Sequence, residues 1–280
     1  MAKQLWLHPV SMRGWGVRSF DAMGVFKRVS ASVMGMAMFV SAAVAGSAMD
    51  AIKARGELRV GTTGDYKPFT FRDADGVPWG ADIVMAQELA AKLGVKLVLV
   101  PTIWAQLLDD QLAGKFDIAM GGVTITPQRA EKLYFSTPTF VDGKRPIARC
   151  ADKDKFKSVD AINQPGVRVI VNPGAQNEKF ARENFGKAEL TVHKDNATVF
   201  QEIAAGRADV MVTDGIEVDH TAHTMPVLCP TAVSQPFTRL EKAYMLPKDE
   251  ELKQLVDGWL DEARASGHWQ RVLEQAMAHP

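Results

Sequence analysis

TFVDGKRPIARC, residues 139–150, is extended and strand-like, broken by Gly143 and Pro146, and it separates two stretches of chain with the same order of elements. Before it come LRVGT (58–62), an amphipathic stretch over 81–93 stopped by Gly94, KLVLVP (96–101), a helical stretch over 105–114, and DIAMGG (117–122). After it come VRVIVN (167–172), a helical stretch over 176–185 stopped by Gly186, ELTVHK (189–194), a helix over 197–206 with Asn196 as its expected cap, and ADVMVT (208–213). β-Branched runs alternating with amphipathic helical periods denote a parallel sheet covered by helices. Two such units in series predict two α/β lobes rather than one continuous sheet. A second extended segment, QPFTRLEKAYMLPKD (235–249), follows the second unit. If both joins cross between lobes, the helical stretches over 250–265 and 268–277 return to the first lobe, and a pair of antiparallel hinge strands permits closure around a ligand.

The chain has 280 residues, 46% hydrophobic and 24% charged, with 33 Lys plus Arg against 33 Asp plus Glu. This is globular composition without a net charge, so no global field draws nucleic acid and anion recognition falls to a few placed residues. KRVSASVMGMAMFVSAAVAGSA (27–48) carries two positive charges, an apolar run and small residues that fit a cleavage site at Ala43 and Ala45 or after Ala48. It predicts a secretory signal over 1–48. The other reading, a membrane anchor, is opposed by a run of only about 15–18 residues, diluted by Ser and Gly and lacking a stop-transfer pattern. A start at Met23 leaves a signal of ordinary length, so residues 1–22 read as an over-extended start. In an oxidising compartment the two cysteines, Cys150 and Cys229, are a candidate disulfide. Without a C-x-x-C or H-x-x-H partner they give no metal-ligand set, the six His are scattered, and neither metal nor cofactor is expected.

In an open parallel sheet, ligands sit beyond the carboxyl ends of the strands. That rule selects TGDYKPF (63–69), the turn around Trp104, GGVTITPQR (121–129), NPGAQNEKF (172–180) and TDGIE (213–217). The runs GELRVGTTGDYKPFTF (56–71), G-x-D-I-V-M-A-Q-E-L-A (80–90) and FDIAMGGVTITPQRAEKLYFSTPTF (116–140) resemble the amino-acid-binding family of periplasmic solute-binding proteins, family 3, and the similarity runs from Asp50 to Ala276. The resemblance implies a periplasmic protein of the two-lobed type II fold. Residues 50–143 with 240–280 would form a discontinuous first lobe and 144–239 the second. It also implies that Thr124, Thr126 and Arg129, in the pattern T-x-T-x-x-x-R, hold a ligand carboxylate together with the amide of Gly122. A guanidinium presents paired donors to a carboxylate. On its own, Arg129 also reads as a surface ion-pair partner on a helix.

Within that family, TTGDYKPF, DGK-PI ending in Cys150, QPGV, VNPG followed by NEKFAR, TDGIE and EKAYMLPKDE resemble the cyclohexadienyl dehydratases, which convert prephenate to phenylpyruvate and arogenate to phenylalanine. This resemblance implies Glu217 as general acid, Asn172 and Lys144 as substrate-orienting groups, and Arg129 and Thr124 on a carboxylate. Asp65, Tyr66, Trp104, Gln176, Asn177 and Asp214 would complete the cleft. The reaction expels carbon dioxide and water as the ring becomes aromatic, so the enzyme's task is to fix a dianion and protonate a departing hydroxyl. A carboxyl group does so at neutral pH only if burial or a neighbouring carboxylate such as Asp214 raises its pKa.

Other readings of these residues stay open. Asp214 and Glu217 have the D-x-x-E spacing of a capping box in a first helical turn. Glu178 fits the first turn of its own helix, and Trp104 fits packing between lobes. The chain departs from the dehydratase pattern N-P-G-G-T-N-E-K-F at Ala175 and Gln176, and has Thr124 where Ser is expected. These departures bear on substrate preference. The alternative function is a non-catalytic binding protein that hands an amino acid or other small carboxylate to the permease of an ATP-driven importer. Neither reading involves nucleic acid or a stable membrane anchor.

Overall fold

The computed structural model describes residues 47–73, 75–174 and 176–279. The expected signal, apart from Ser47 and Ala48, and the departure at Ala175 lie outside the described residues. Two sheets of five strands carry the fold. In the first, Lys96–Pro101, Glu57–Thr62 and Ile118–Ala119 run parallel, and Met245–Leu246 and Tyr134–Phe135 complete the edge by antiparallel pairing. In the second, Glu189–Val192, Arg168–Val171 and Val210–Asp214 are parallel, followed by the antiparallel strands Lys144–Arg149 and Leu228–Pro230. The central runs are apolar on both faces, as strands covered on both sides must be: Val169, Ile170, Val171, Val210, Met211 and Val212 are each 2% exposed or less.

The two extended joins do cross between the sheets. Phe140–Asp142 pairs antiparallel with Leu240–Lys242, in the register Leu240 to Asp142 and Lys242 to Phe140. The C-terminal helices Glu250–Ala265 and His268–Ala278 therefore pack on the first sheet, where Leu252, Val256, Leu260, Val272 and Leu273 share a core with Leu58, Val60, Met85 and Leu89. Among the described residues, no helix is long and apolar enough to cross a membrane. Cys150 and Cys229 form a disulfide that closes a loop with a sequence separation of 79.

Three local features differ from the sequence reading. The second helix of the first unit is shorter, Leu107–Leu112, because Trp104, Ala105 and Gln106 form a turn before it. The helix expected over 197–206 is a 3-10 turn, Asn196–Thr198, followed by Val199–Ala204. Its cap is Asp195, whose side chain accepts from Ala197 N, because the amide of Asn196 is engaged elsewhere. Residues 65–79 add a small antiparallel sheet, Asp65–Tyr66, Thr70–Arg72 and Pro78–Trp79.

Candidate active site

The carboxyl ends of the parallel strands of both sheets converge on a cavity of about 30 Å3 lined by Tyr66, Trp104, Gly122, Thr124, Arg129, Lys144, Asn172, Gln176, Asn177, Asn196, Asp214, Glu217 and Lys242. A space that size admits little more than a water. A substrate must therefore part the lobes and displace side chains that now meet one another. Gly174 marks how closely they meet: a Cβ built on it would lie 2.4 Å from the Cβ of Ala105 in the opposite lobe.

Asp214, at the end of Val210–Asp214, is the electrostatic centre. Lys144 Nζ donates to its Oδ1 at 2.7 Å, Lys242 Nζ to its Oδ2 at 2.5 Å, and Tyr66 OH to Oδ2 at 2.6 Å. Burial alone would raise its pKa, but the two ammonium groups hold it well below the usual carboxylate range. Lys144 and Lys242 are each only 2% exposed, and Lys242 also donates to Thr124 Oγ1 at 2.8 Å. Burial pulls the pKa of Lys242 down. Lys144 further donates to Asn177 Oδ1, and Asn177 Nδ2 donates to Asn172 Oδ1 at 2.9 Å and Thr213 Oγ1 at 3.0 Å. One chain of hydrogen bonds thus joins Asn172, Asn177, Lys144, Asp214, Lys242 and Thr124 across both lobes.

Glu217, in the first turn of Gly215–Thr224, joins that network through Thr213 and is 4% exposed. Thr213 Oγ1 donates to its Oε2. Burial drives its pKa up to about 8; the Thr213 hydrogen bond opposes that rise and the charge of Asp214 adds to it. At neutral pH the group is a protonated acid facing a cationic cleft. The capping-box reading of Asp214 and Glu217 does not hold, since the Asp214 side chain makes no capping hydrogen bond. The helix is capped instead by Asp142, which accepts from Gly215 N at 3.1 Å and Ile216 N at 2.9 Å.

Arg129 is buried in the same cavity. Its Nη1 donates to Thr124 O at 2.9 Å, and burial lowers its pKa to about 10. No carboxylate of the described residues forms an ion pair with it, so the surface ion-pair reading fails. Thr126 does not line the cavity; its hydroxyl caps Pro127–Lys132 by accepting from Arg129 N at 3.3 Å. Asp65 also stays outside that lining. Its Oδ1 accepts from Trp104 Nε1 at 3.0 Å and its carbonyl from Asn196 Nδ2 at 2.9 Å, which ties the two lobes together. Trp104 meets the Tyr66 ring edge-on at 5.7 Å, so it both packs and lines the cleft. Glu178 braces its helix by accepting from Gly174 N at 2.6 Å and pairing with Arg182.

Four participants escaped the sequence reading. Lys242 lies in the quoted hinge run LEKAYML, where a lysine directly before the apolar run AYML is the available signal. Asp142 lies in the other hinge run. Asn196 reads in the sequence as a helix cap. Asp82, buried at the start of Ala81–Leu93, accepts from Gly122 N at 2.7 Å and Tyr244 OH at 2.8 Å and so fixes the glycine turn under the cleft; burial raises its pKa to about 6.

The model of the bacterial extracellular solute-binding proteins, family 3, matches residues 58–279. Cyclohexadienyl dehydratase of Pseudomonas aeruginosa is 49% identical over 233 residues, 83% of this chain and 85% of that protein. The L-cystine-binding protein TcyJ of Escherichia coli is 30% identical over 229 residues, 81% of this chain and 85% of that one. Among solved structures, an ancestral amino acid-binding protein described as a precursor of cyclohexadienyl dehydratase aligns with a TM-score of 0.77 at 38% identity, covering 82% of this chain and 100% of that one. An ancestral cyclohexadienyl dehydratase aligns with a TM-score of 0.53 at 51% identity, covering 84% and 98%.

Proposed function

The chain belongs to the bacterial extracellular solute-binding proteins, family 3, and from that premise we propose that it is a decarboxylating dehydratase of cyclohexadienyl acids, with prephenate as its preferred substrate and Glu217 as its general acid. It is a carbon–oxygen lyase. The feature that carries this reading is the buried carboxyl group of Glu217, whose pKa burial raises to about 8, beside a carboxylate that accepts from two lysines. A carrier has no use for a proton donor of that kind.

The chemistry follows from the charges. Arg129, Lys144 and Lys242 against Asp214 leave the cleft with two positive charges while Glu217 is protonated. Prephenate brings two carboxylates, whereas the ammonium of arogenate removes one unit of negative charge; the cleft therefore favours prephenate. Arg129, with Thr124 beside it, takes one carboxylate by paired charge-assisted hydrogen bonds. Lys144, Asn172 and Asn177 orient the ring so that its hydroxyl faces Glu217. As the ring carboxylate leaves as carbon dioxide, its bonding pair enters the ring, the carbon–oxygen bond at the hydroxyl breaks, and the proton of Glu217 lets that oxygen depart as water. Such help is typically worth about a hundred- to ten-thousand-fold. Tyr66, Trp104 and Gln176 wall the cleft, with Asp65 holding Trp104 from behind, and Gln176 in place of a small hydroxyl narrows the choice of substrate.

The proposal includes the lobe boundaries 50–143 with 240–280, and 144–239, supported by the antiparallel hinge pair. It also includes export to the periplasm by the N-terminal signal. Incubating purified protein with prephenate or arogenate at neutral pH and following phenylpyruvate or phenylalanine tests the activity. Turnover well above buffer is expected. Tight reversible binding without chemical change would instead mark a carrier, a reading favoured by the similarity to the L-cystine-binding protein.

A further inference from the structure

We propose that a second cavity at the outer edge of the cleft is the port through which Glu217 regains, in the closed protein, the proton that each turnover consumes. This rests on Glu217 being the acid. The stoichiometry sets the requirement: prephenate dianion plus one proton gives phenylpyruvate monoanion, carbon dioxide and water. Glu217 ends each cycle as a carboxylate and needs one proton from outside.

The substrate cavity leaves only about 30 Å3 between its walls. A neighbouring cavity of about 520 Å3 gives water far more room, and Glu217 and Asn196 line both spaces. From Glu217 outward, Thr221 and Thr224 follow along one face of Gly215–Thr224, at the spacings that place helix side chains in a row. The far rim carries the exposed Arg72, Ala197 and Gln201, so the chamber reaches solvent. The acid therefore stands as a partition, with substrate on one side and, on the other, a water-accessible space whose polar lining includes Thr221, Thr224, His220, Lys67, Asp65 and Asn196. Neither threonine lines the substrate cavity. The water formed from the substrate hydroxyl arises at this partition and departs the same way.

Two variants test the port. Thr221→Val removes a hydroxyl at constant shape; Thr224→Phe fills the chamber. In stopped-flow with prephenate, both are expected to complete the first turnover at the wild-type rate, because Glu217 starts protonated. Both then enter a steady state about tenfold or more slower, giving a burst of one phenylpyruvate per enzyme with KM little changed. Imidazole buffer, whose imidazolium form is a small weak acid that gives up its proton to become imidazole, should restore the steady state of Thr221→Val in proportion to its concentration but not that of Thr224→Phe. The normal first turnover itself reports an intact cleft, and should Thr224→Phe not fold, Thr221→Val carries the test. Wild-type steady-state rates without a burst in the variants, or a Thr221→Val burst that imidazole leaves unchanged, would overturn the port and show that Glu217 is reprotonated through the open cleft or that product release is slow. A first turnover that survives Glu217→Gln would instead remove the acid itself, a separate failure.

Discussion

Asp142 Oδ2 accepts a hydrogen bond from Ile216 N at 2.9 Å, so a carboxylate on a hinge strand caps the helix that carries Glu217. Its Oδ1 accepts from Gly215 N and from Gly143 N, the latter at 2.7 Å, and this leaves the group bound to both the hinge turn and the helix start. Hinge geometry and placement of the acid are thereby a single structural unit. A Cβ on Gly215 would fall 2.7 Å from Asp142 Oδ1, which shows how little play the unit has.

Replacing Asp142 by Ala removes the cap. Loss of a capping side chain costs about 1 kcal/mol, which in a domain of this size lowers Tm by about 2–4 °C. Because the helix start carries Glu217, kcat should fall more than KM rises. Thermal melting and steady-state kinetics on one preparation check both.

Glu217 also sets a pH dependence. Its pKa is about 8 in the folded protein against 4.5 for the free side chain, so kcat should decline as pH rises through about 8. Stability moves in the same direction. Below pH 4.5 both folded and unfolded chains hold the proton; between 4.5 and about 8 only the unfolded chain releases it, and unfolding gains ground with each step. Glu217→Gln removes this term, so the difference in Tm between variant and wild type should grow in the variant's favour from pH 5 to pH 8.

Arg129 is a buried cation whose hydrogen-bond partner is a carbonyl rather than a carboxylate. Its replacement by Met removes an uncompensated charge and should leave the free protein no less stable. The stabilisation by prephenate should disappear, and kcat/KM should drop by about two orders of magnitude or more, the scale of a lost charge-assisted pair. Thermal shift with and without substrate separates these effects.

Gly174→Ala probes closure. The residue has φ +70°, unfavourable for alanine, and its new methyl would collide with Ala105 across the cleft. The variant should favour the open form, with raised KM, a lower kcat and a larger radius of gyration by X-ray scattering in the presence of ligand.

Much of this arrangement was legible in the sequence because the fold is written in strong local signals. Leu58, Val60, Val169 and Val171 lie in β-rich runs, and Gly94 stops a helix with a left-handed cap. The loops at the strand ends brought Glu217, Asp214, Asn172 and Arg129 to one cavity, where Lys144 joins them from the start of the strand Lys144–Arg149. What escaped depends on pairing between distant segments. Lys242 reaches Asp214 only because residues 240–242 cross beside residues 140–142, and no local spacing records that. Asn196 looked like a cap because Asn is favoured there, yet its amide is drawn across the cleft to Asp65. Thr126 kept the expected pattern but spends its hydroxyl on a helix terminus.

The most direct measurement is the turnover of prephenate by Glu217→Gln at neutral pH, alongside its affinity for the same substrate. If a buried proton on residue 217 drives loss of the ring hydroxyl, kcat should fall by about a hundred- to ten-thousand-fold while binding persists, since glutamine keeps the shape and neutrality of the protonated acid. A variant that forms phenylpyruvate at the wild-type rate would contradict it.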